Sequence, residues 1–461
     1  MGEEAFRVKR RLKNVPPVRL IVVSFAVVIL AGAFLLTLPA VSRSGLPTSF
    51  VDALFTATSA TCVTGLIAFD TWTHWNLLGQ VIILLLIQIG GLGVITLTTG
   101  FSLLLHRKLG LRDLQLATEN TSGDTINITH LVKIILIFTF LCESAGTLLM
   151  MLRFVPQFGP KGIWIAVFTS VSAYCNAGFD ILGFVMKDGN LIPYVGDPLI
   201  CLTVEALIII GGIGFIVVAD IYYSRILKRI HKKKPEHLNF HSAIALGMSA
   251  ILIVLGTVLF FLCENDNTLK GMDFGTKLNA SLFQSVSPRT AGFCTVDIAQ
   301  EHDFTKMLTV ILMFIGASPA GTGGGIKTTT FVVLLATVVS VMKGNEDATI
   351  LKRRLDKLTV YRSLAIVFSA ALLVLITTGI ILSADRDVSG IDALFEAASG
   401  FGTVGLTAGV TQTLSWVSKL AVTFTMFVGR VGPVSLGLAL TLQKGHHANG
   451  SILPEGKVIV G

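Results

Sequence analysis

The stretch "DALFTATSATCVTGL" (residues 52–66) decides the fold, because the chain returns to it three times: "IAVFTSVSAYCNAGF" (165–179), "ASLFQSVSPRTAGF" (280–293) and "DALFEAASGFGTVGL" (392–406). Each copy holds a Phe, a Ser four residues later, and then a Gly followed by Leu or Phe. The phenylalanines are Phe55, Phe168, Phe283 and Phe395, and the glycines are Gly65, Gly178, Gly292 and Gly405. The third copy is one residue shorter between its Ser and its Gly. A second element follows each time: "IGGLGV" (89–94), "IGGIGF" (210–215), "IGASPAG" (315–321) and "VGRVGP" (428–433). A pattern recurring at one period is the mark of a single supersecondary unit used repeatedly.

The sequence between the copies is apolar. Of 461 residues, 52% are hydrophobic and only 14% charged, with a mean hydropathy of +0.76, which excludes an ordinary soluble domain. Runs long enough to cross a bilayer, roughly 20 residues each, lie at 20–38, 77–105, 134–152, 198–219, 243–263, 307–342, 363–384 and 420–442. Each repeat is then a span, a half-helix, a Gly loop and a second span. The expected fold is an all-α polytopic membrane protein: four M1-P-M2 repeats, with eight transmembrane spans, four pore half-helices and four filter loops around a pseudo-fourfold axis. The repeats cover 18–106, 107–226, 227–343 and 344–443, between cytosolic segments 1–17 and 444–461.

The net charge of +8 does not point to nucleic acid, because the basic residues fall in blocks between spans. Arg7, Lys9, Arg10, Arg11, Lys13 and Arg19 precede the first span; Arg107, Lys108 and Arg112 follow the second. Further blocks occupy 225–234 and 343–362. All lie on one side of an eight-span chain, the cytoplasmic side by the positive-inside rule, which puts both termini inside. The blocks at 225–234 and 343–357 suit a docking protein or anionic membrane lipid. The first run is longer than a usual signal core and is read as a retained span. The six cysteines form no CxxC pair and read as packing residues. No nucleophile and base occur together, so no catalytic residue and no enzyme activity are expected.

Irregular backbone at membrane depth is tolerated only where it lines a wet cavity or is buried in protein. Four Gly loops about one axis can offer a ring of carbonyls to a dehydrated cation, and glycine reaches positive φ without steric cost. The candidate ion-binding residues are Thr64, Gly65, Ala177, Gly178, Ala291, Gly292, Val404 and Gly405. Asp52 and Asp392 stand at the N-terminal ends of their half-helices, where an acid is favourable, and read as caps.

The run 307–342 would be about 54 Å long as one helix, against a hydrocarbon core of about 30 Å, so it must break. Pro319 and the glycines of "GASPAGTGGGIKT" (316–328) supply the break. A phosphate-binding reading fails because Ile326 separates Gly325 from Lys327 and a membrane helix precedes the loop. The candidate gate comprises Gly316, Ala317, Ser318, Pro319, Gly321, Thr322, Gly323, Gly324, Gly325 and Lys327, the last able instead to snorkel toward the cytosol. Arg430 occupies the matching place in the fourth repeat. It reads as an electrostatic pore barrier bonded to loop carbonyls, or as a packing partner of Glu205 or Glu396. Glu143 is expected to make a hydrogen-bonded helix contact.

The motifs "TCVTGL", "CNAGF", "RTAGF", "GTVGL", "GASPAGTGGGIKT" and "GRVGP" resemble the Trk/Ktr/HKT superfamily of potassium transporters, most closely its Ktr membrane subunits, over essentially the whole chain. The resemblance implies a pore in each subunit of a homodimer in the bacterial plasma membrane. It also implies a cytosolic ring of RCK-type subunits that binds ATP or ADP, this chain carrying no cofactor. Glycine at all four filter positions implies K+ as the transported ion, with a sodium-permeable or sodium-coupled transporter as the alternative. It also marks 316–328 as an intramembrane gating loop and Arg430 as the pore arginine.

Overall fold

A computed structural model describes residues 17–93, 128–227, 237–345 and 347–441. The basic runs at 7–13, 107–112 and 228–234, the distal part of the run 77–105, and the segment 444–461 lie outside them. Among the described residues the chain is helical apart from loops and one small hairpin, Thr349–Ile350 with Arg353–Arg354.

One order of elements occurs four times. In the first unit α1 (Pro17–Thr37) is followed by the short α2 (Phe50–Cys62), a Gly loop, the one-turn α3 (Thr71–His74) and α4 (Leu77–Leu92). The second unit has α5 (Ile128–Phe158), the short α6 (Lys161–Tyr174), α7 (Pro198–Gly212) and α8 (Phe215–Ile221). The third has α9 (Phe240–Glu264), the short α10 (Phe274–Val286), α11 (Asp303–Phe314) and α12 (Thr328–Met342). The fourth has α13 (Lys357–Ala384), the short α14 (Gly390–Gly402), α15 (Trp416–Val431) and α16 (Pro433–Thr441).

Local chemistry sets these boundaries. Ser49 and Ser389 cap α2 and α14, each hydroxyl accepting the N–H three residues on, from Asp52 and Asp392, at 3.2 Å. The two carboxylates in turn accept the serine hydroxyls at 2.8 and 2.7 Å, a reciprocal pairing close to a capping box. Asn76, Asp197 and Ser415 cap α4, α7 and α15. The repeat phenylalanines Phe55, Phe168, Phe283 and Phe395 are fully buried.

Four described helices are long and apolar enough to cross a membrane, Arg19–Thr37, Val132–Phe158, Phe240–Glu264 and Lys357–Ala384, and two bent pairs would bring the number to six. Bends interrupt the runs read as spans at 198–219 and 420–442. The chain turns by 94° between α7 and α8 and by 90° between α15 and α16. Gly214 and Gly432 sit at the corners with φ of 99° and 91°, a region that L side chains avoid. So the second element of the repeat breaks a helix in the second and fourth units as well as in the third.

The units close on each other. Each second helix packs on the short helix of the next unit: α4 on α6, α7 on α10, α11 on α14, and α15 back on α2. Side-chain pairs bridge three of these seams. Trp164 Nε1 donates to Gln80 Oε1 at 2.9 Å, and Lys306 and Lys419 pair with Asp392 and Asp52 at 2.8 and 2.7 Å. At the α7–α10 boundary Asn279 Nδ2 donates to the Val195 carbonyl at 3.1 Å.

Candidate functional site

The short helices end in four loops of one conformation. Two residues before each glycine the backbone turns left-handed, at Val63, Asn176, Thr290 and Thr403, and the glycine follows with positive φ: Gly65 100°, Gly178 69°, Gly292 75° and Gly405 95°. The repeat serines anchor the turns. Ser59, Ser172 and Ser399 accept the N–H of Thr64, Ala177 and Val404 on their carbonyls at 2.7, 2.7 and 2.9 Å. In the third copy Ser287 accepts from Ala291 at 2.9 Å, four residues on rather than five. The missing residue is therefore absorbed in the turn, and the glycine keeps its place.

The structure brings the four loops into a closed ring. A Cβ on Gly65 would collide with the carbonyl of Ala177, on Gly178 with that of Ala291, on Gly292 with that of Val404, and on Gly405 with that of Thr64. Each glycine thus touches the residue before the next one, and the fourth touches the first. Only a residue without a side chain permits this approach.

On one side of the ring the segments that follow the glycines enclose a cavity of about 370 Å³, bordered by Asp180, Asp188, Asn190 and Asp297. Burial pushes the Asp180 carboxyl up to about 7, the N–H of Leu182 acting against it at 2.8 Å.

The other side is crossed by the loop 315–327, between α11 and α12. It folds on itself through a Gly316 N–H to Ile326 carbonyl bond of 2.8 Å and meets the second, third and fourth units. Ser318 and Thr322 donate their N–H groups to the carbonyls of Gly212 and Gly211 at 3.0 and 3.2 Å, and Gly325 donates to Gly429 at 3.3 Å. Gly324 N–H donates to the Thr403 hydroxyl at 3.0 Å. A Cβ on Gly323 would strike the Thr290 hydroxyl. Thr290 and Thr403 belong to the glycine turns themselves, so the loop lies directly against the base of the ring.

Arg430 completes the contact with the first unit. Its guanidinium donates to the carbonyls of Thr322 in the loop and Gly90 on α4. The carboxylate partners weighed for it are elsewhere: Glu396 accepts the hydroxyls of Thr407 and Thr411, and Glu205 Oε1 has no hydrogen-bond partner among the described residues. Lys327 does not extend toward the cytosol but folds back onto the Gly323 carbonyl at 2.7 Å. Glu143 accepts the amide of Gln88 at 2.9 Å, linking α5 to α4.

Sequence reasoning read Asp52 and Asp392 as caps and missed their lysines. The signal was present: Lys306 and Lys419 each stand four residues after the cap of an inner helix, the place held by Gln80 in the first unit.

A multi-pass membrane protein with four glycine loops closed around one axis and a broken helix beneath them is a membrane transport protein. The chain belongs to the TrkH family of cation transport proteins, whose family model matches residues 14–447. Potassium/sodium uptake protein NtpJ of Enterococcus hirae is 37% identical over 461 residues, covering 98% of this chain and 99% of that protein. Ktr system potassium uptake protein B of Vibrio alginolyticus is 39% identical over 429 residues, 92% of this chain and 90% of its own. Its namesake in Bacillus subtilis is 36% identical over 450 residues, 96% and 97%. The crystal structure of the potassium transporter TrkH from Vibrio parahaemolyticus shares the fold, with a TM-score of 0.71 at 18% identity over 92% of this chain and 84% of that one. These relatives are transport proteins, and this chain is a transporter subunit of their family rather than an enzyme.

Proposed function

We propose that the chain is the K+-translocating, channel-like subunit of a Ktr-type uptake system, with eight membrane crossings around a pseudo-fourfold axis and both termini cytoplasmic. The observation that carries the reading is the closed ring, in which each glycine touches the carbonyl-bearing residue before the next. The carbonyls of Thr64, Gly65, Ala177, Gly178, Ala291, Gly292, Val404 and Gly405 replace the hydration shell of K+, as a selectivity filter requires. The short helices aim their carbonyl ends at the same axis and add partial negative charge. The loop 316–328 is the gate, since it lies against the base of the ring through bonds to the second and fourth units, with Arg430 linking it to the first. Arg430 holds the loop shut and sets a positive charge in the ion's path.

The relatives named Ktr system protein B support a multi-component system. In it two copies of this chain form a homodimer, and an RCK-type ring that binds ATP or ADP docks on the cytosolic face. The experiment is tracer K+ or Rb+ flux into proteoliposomes holding the purified chain, then with a ring added, with Na+ as competitor. K+-selective flux that the ring and ATP raise is expected. Gly65→Ser should increase Na+ permeation relative to K+, and an unchanged ratio would remove the filter assignment. The name potassium/sodium uptake protein carried by the Enterococcus hirae relative favours one second reading, in which Na+ is carried or coupled; sodium flux comparable to that of K+ in the unaltered chain would establish it.

A further inference from the structure

The cavity beside the glycine ring is crossed by a strap, residues 186–191 of the second unit. Leu191 N–H donates to the Cys294 carbonyl of the third unit at 3.1 Å, and Gln412 of the fourth unit donates to Asp188 Oδ1 at 2.7 Å. Between these ties Asn190 adopts left-handed backbone with φ of 47°, a conformation Asn tolerates better than most residues. Its side chain turns to the ring, where Nδ2 donates to the carbonyl of Gly178 at 3.3 Å. Asn190 is only 9% exposed, and its Oδ1 has no partner among the described residues. The amide orientation follows from the Gly178 carbonyl, since the reverse would set oxygen against oxygen. Among the described residues no side chain donates to the carbonyls of Gly65, Gly292 or Gly405.

We propose that Asn190 is a positioning residue for ion selection, holding the Gly178 carbonyl at the cavity end of the ring through the strap that crosses to the third and fourth units. The proposal rests on the filter reading above. A carbonyl has two lone pairs, so one that accepts the amide can still face an ion, but it is no longer free to swing inward. Na+ is smaller than K+ and needs the carbonyls to close further around it. Fixing one of them raises the cost of that closure and leaves K+ nearly unaffected. Among the described residues the second repeat alone carries this device.

The test uses the full-length chain in proteoliposomes, with tracer Rb+ uptake competed by Na+ or by K+. Asn190→Gly and Asn190→Asp both remove the donor at a backbone position that Gly and Asp accept. One adds a charge and the other does not, so a shared effect isolates the donor. Both should shift competition toward Na+ by roughly five-fold, the size expected from one lost neutral hydrogen bond, and should move the apparent KM for Rb+ more than the maximal rate. An unchanged competition ratio in both variants, or a lower maximal rate at an unchanged ratio, overturns the proposal. If Asn190→Gly does not fold, Asn190→Ala, which also removes the donor without adding a charge, takes its place beside Asn190→Asp. Gly65→Ser is run in parallel. A shift there without one at Asn190 removes only this proposal, whereas no shift at Gly65 removes the filter reading beneath it.

Discussion

The glycine loops and the loop 315–327 are both irregular backbone at the centre of the molecule, yet they are held in opposite ways. Each glycine loop is fastened by its own helix, through a left-handed residue and a serine carbonyl that accepts at 2.7 to 2.9 Å. The crossing loop is fastened mainly by others. Its bonds to Gly212, Gly211 and Gly429 measure 3.0 to 3.3 Å, Phe215 N–H donates to its Ala320 carbonyl at 2.9 Å, and further ties run to Tyr174, Thr403 and Arg430. Local fastening makes a part rigid, because nothing outside the unit has to move for it to persist. Fastening by neighbours makes a part switchable, because a small shift of any unit trades its partners. A filter needs the first property and a gate needs the second.

The largest effect should come from removing the neighbour-held part. Deleting 317–325 should raise K+ flux in proteoliposomes on the order of a hundred-fold, as when a closed state loses most of its population, with selectivity retained. Equal flux would show that the loop does not gate, and lost selectivity would show that the ring depends on it.

Arg430→Ala is a smaller cut in the same seal. Two charge-assisted bonds disappear while the loop's other ties remain, and a net loss of about 1.4 kcal/mol from the closed arrangement would raise flux by roughly ten-fold. The same K+ to Na+ ratio should persist, because Arg430 touches the loop and α4 but not the glycine turns. A protein recovered only in misfolded form would assign the arginine to packing.

The smallest effect concerns the seams that hold the ring together. Lys419→Met leaves Asp52, only 17% exposed along its side chain, without its cation. Thermal unfolding should register a loss of about 2 kcal/mol, between the values for exposed and fully buried pairs. Adding Asp52→Leu to Lys419→Met should return most of it. If the double variant is no better than the single, the pair sets the geometry of the seam rather than supplying stability.

Sequence by itself was enough for the motif and its four copies, since Phe, Ser and Gly at nearly one spacing are visible whatever the chain does between them. It also placed the break at 316–325, because a run too long for the bilayer that contains Pro319 and several glycines has no other outcome. The place of Asp52 and Asp392 at the starts of their short helices was legible because capping is decided within four residues, although the capping side chains are Ser49 and Ser389 and the two acids pair back to them. What lay beyond reach were choices between partners distant in the chain. Arg430 had carboxylates and carbonyls to choose from, and only the folded chain sets it between Thr322 and Gly90. Lys327 had the cytosol or its own loop, and Asn190 gave no sign that it would reach Gly178. The bends at Gly214 and Gly432 were hidden too, because a glycine in an apolar run is compatible with a straight helix until neighbouring units compete for its carbonyls. Short-range sterics and periodicity are written in consecutive residues, whereas the pairing of buried polar groups is settled by which of them the closed ring brings within hydrogen-bond reach.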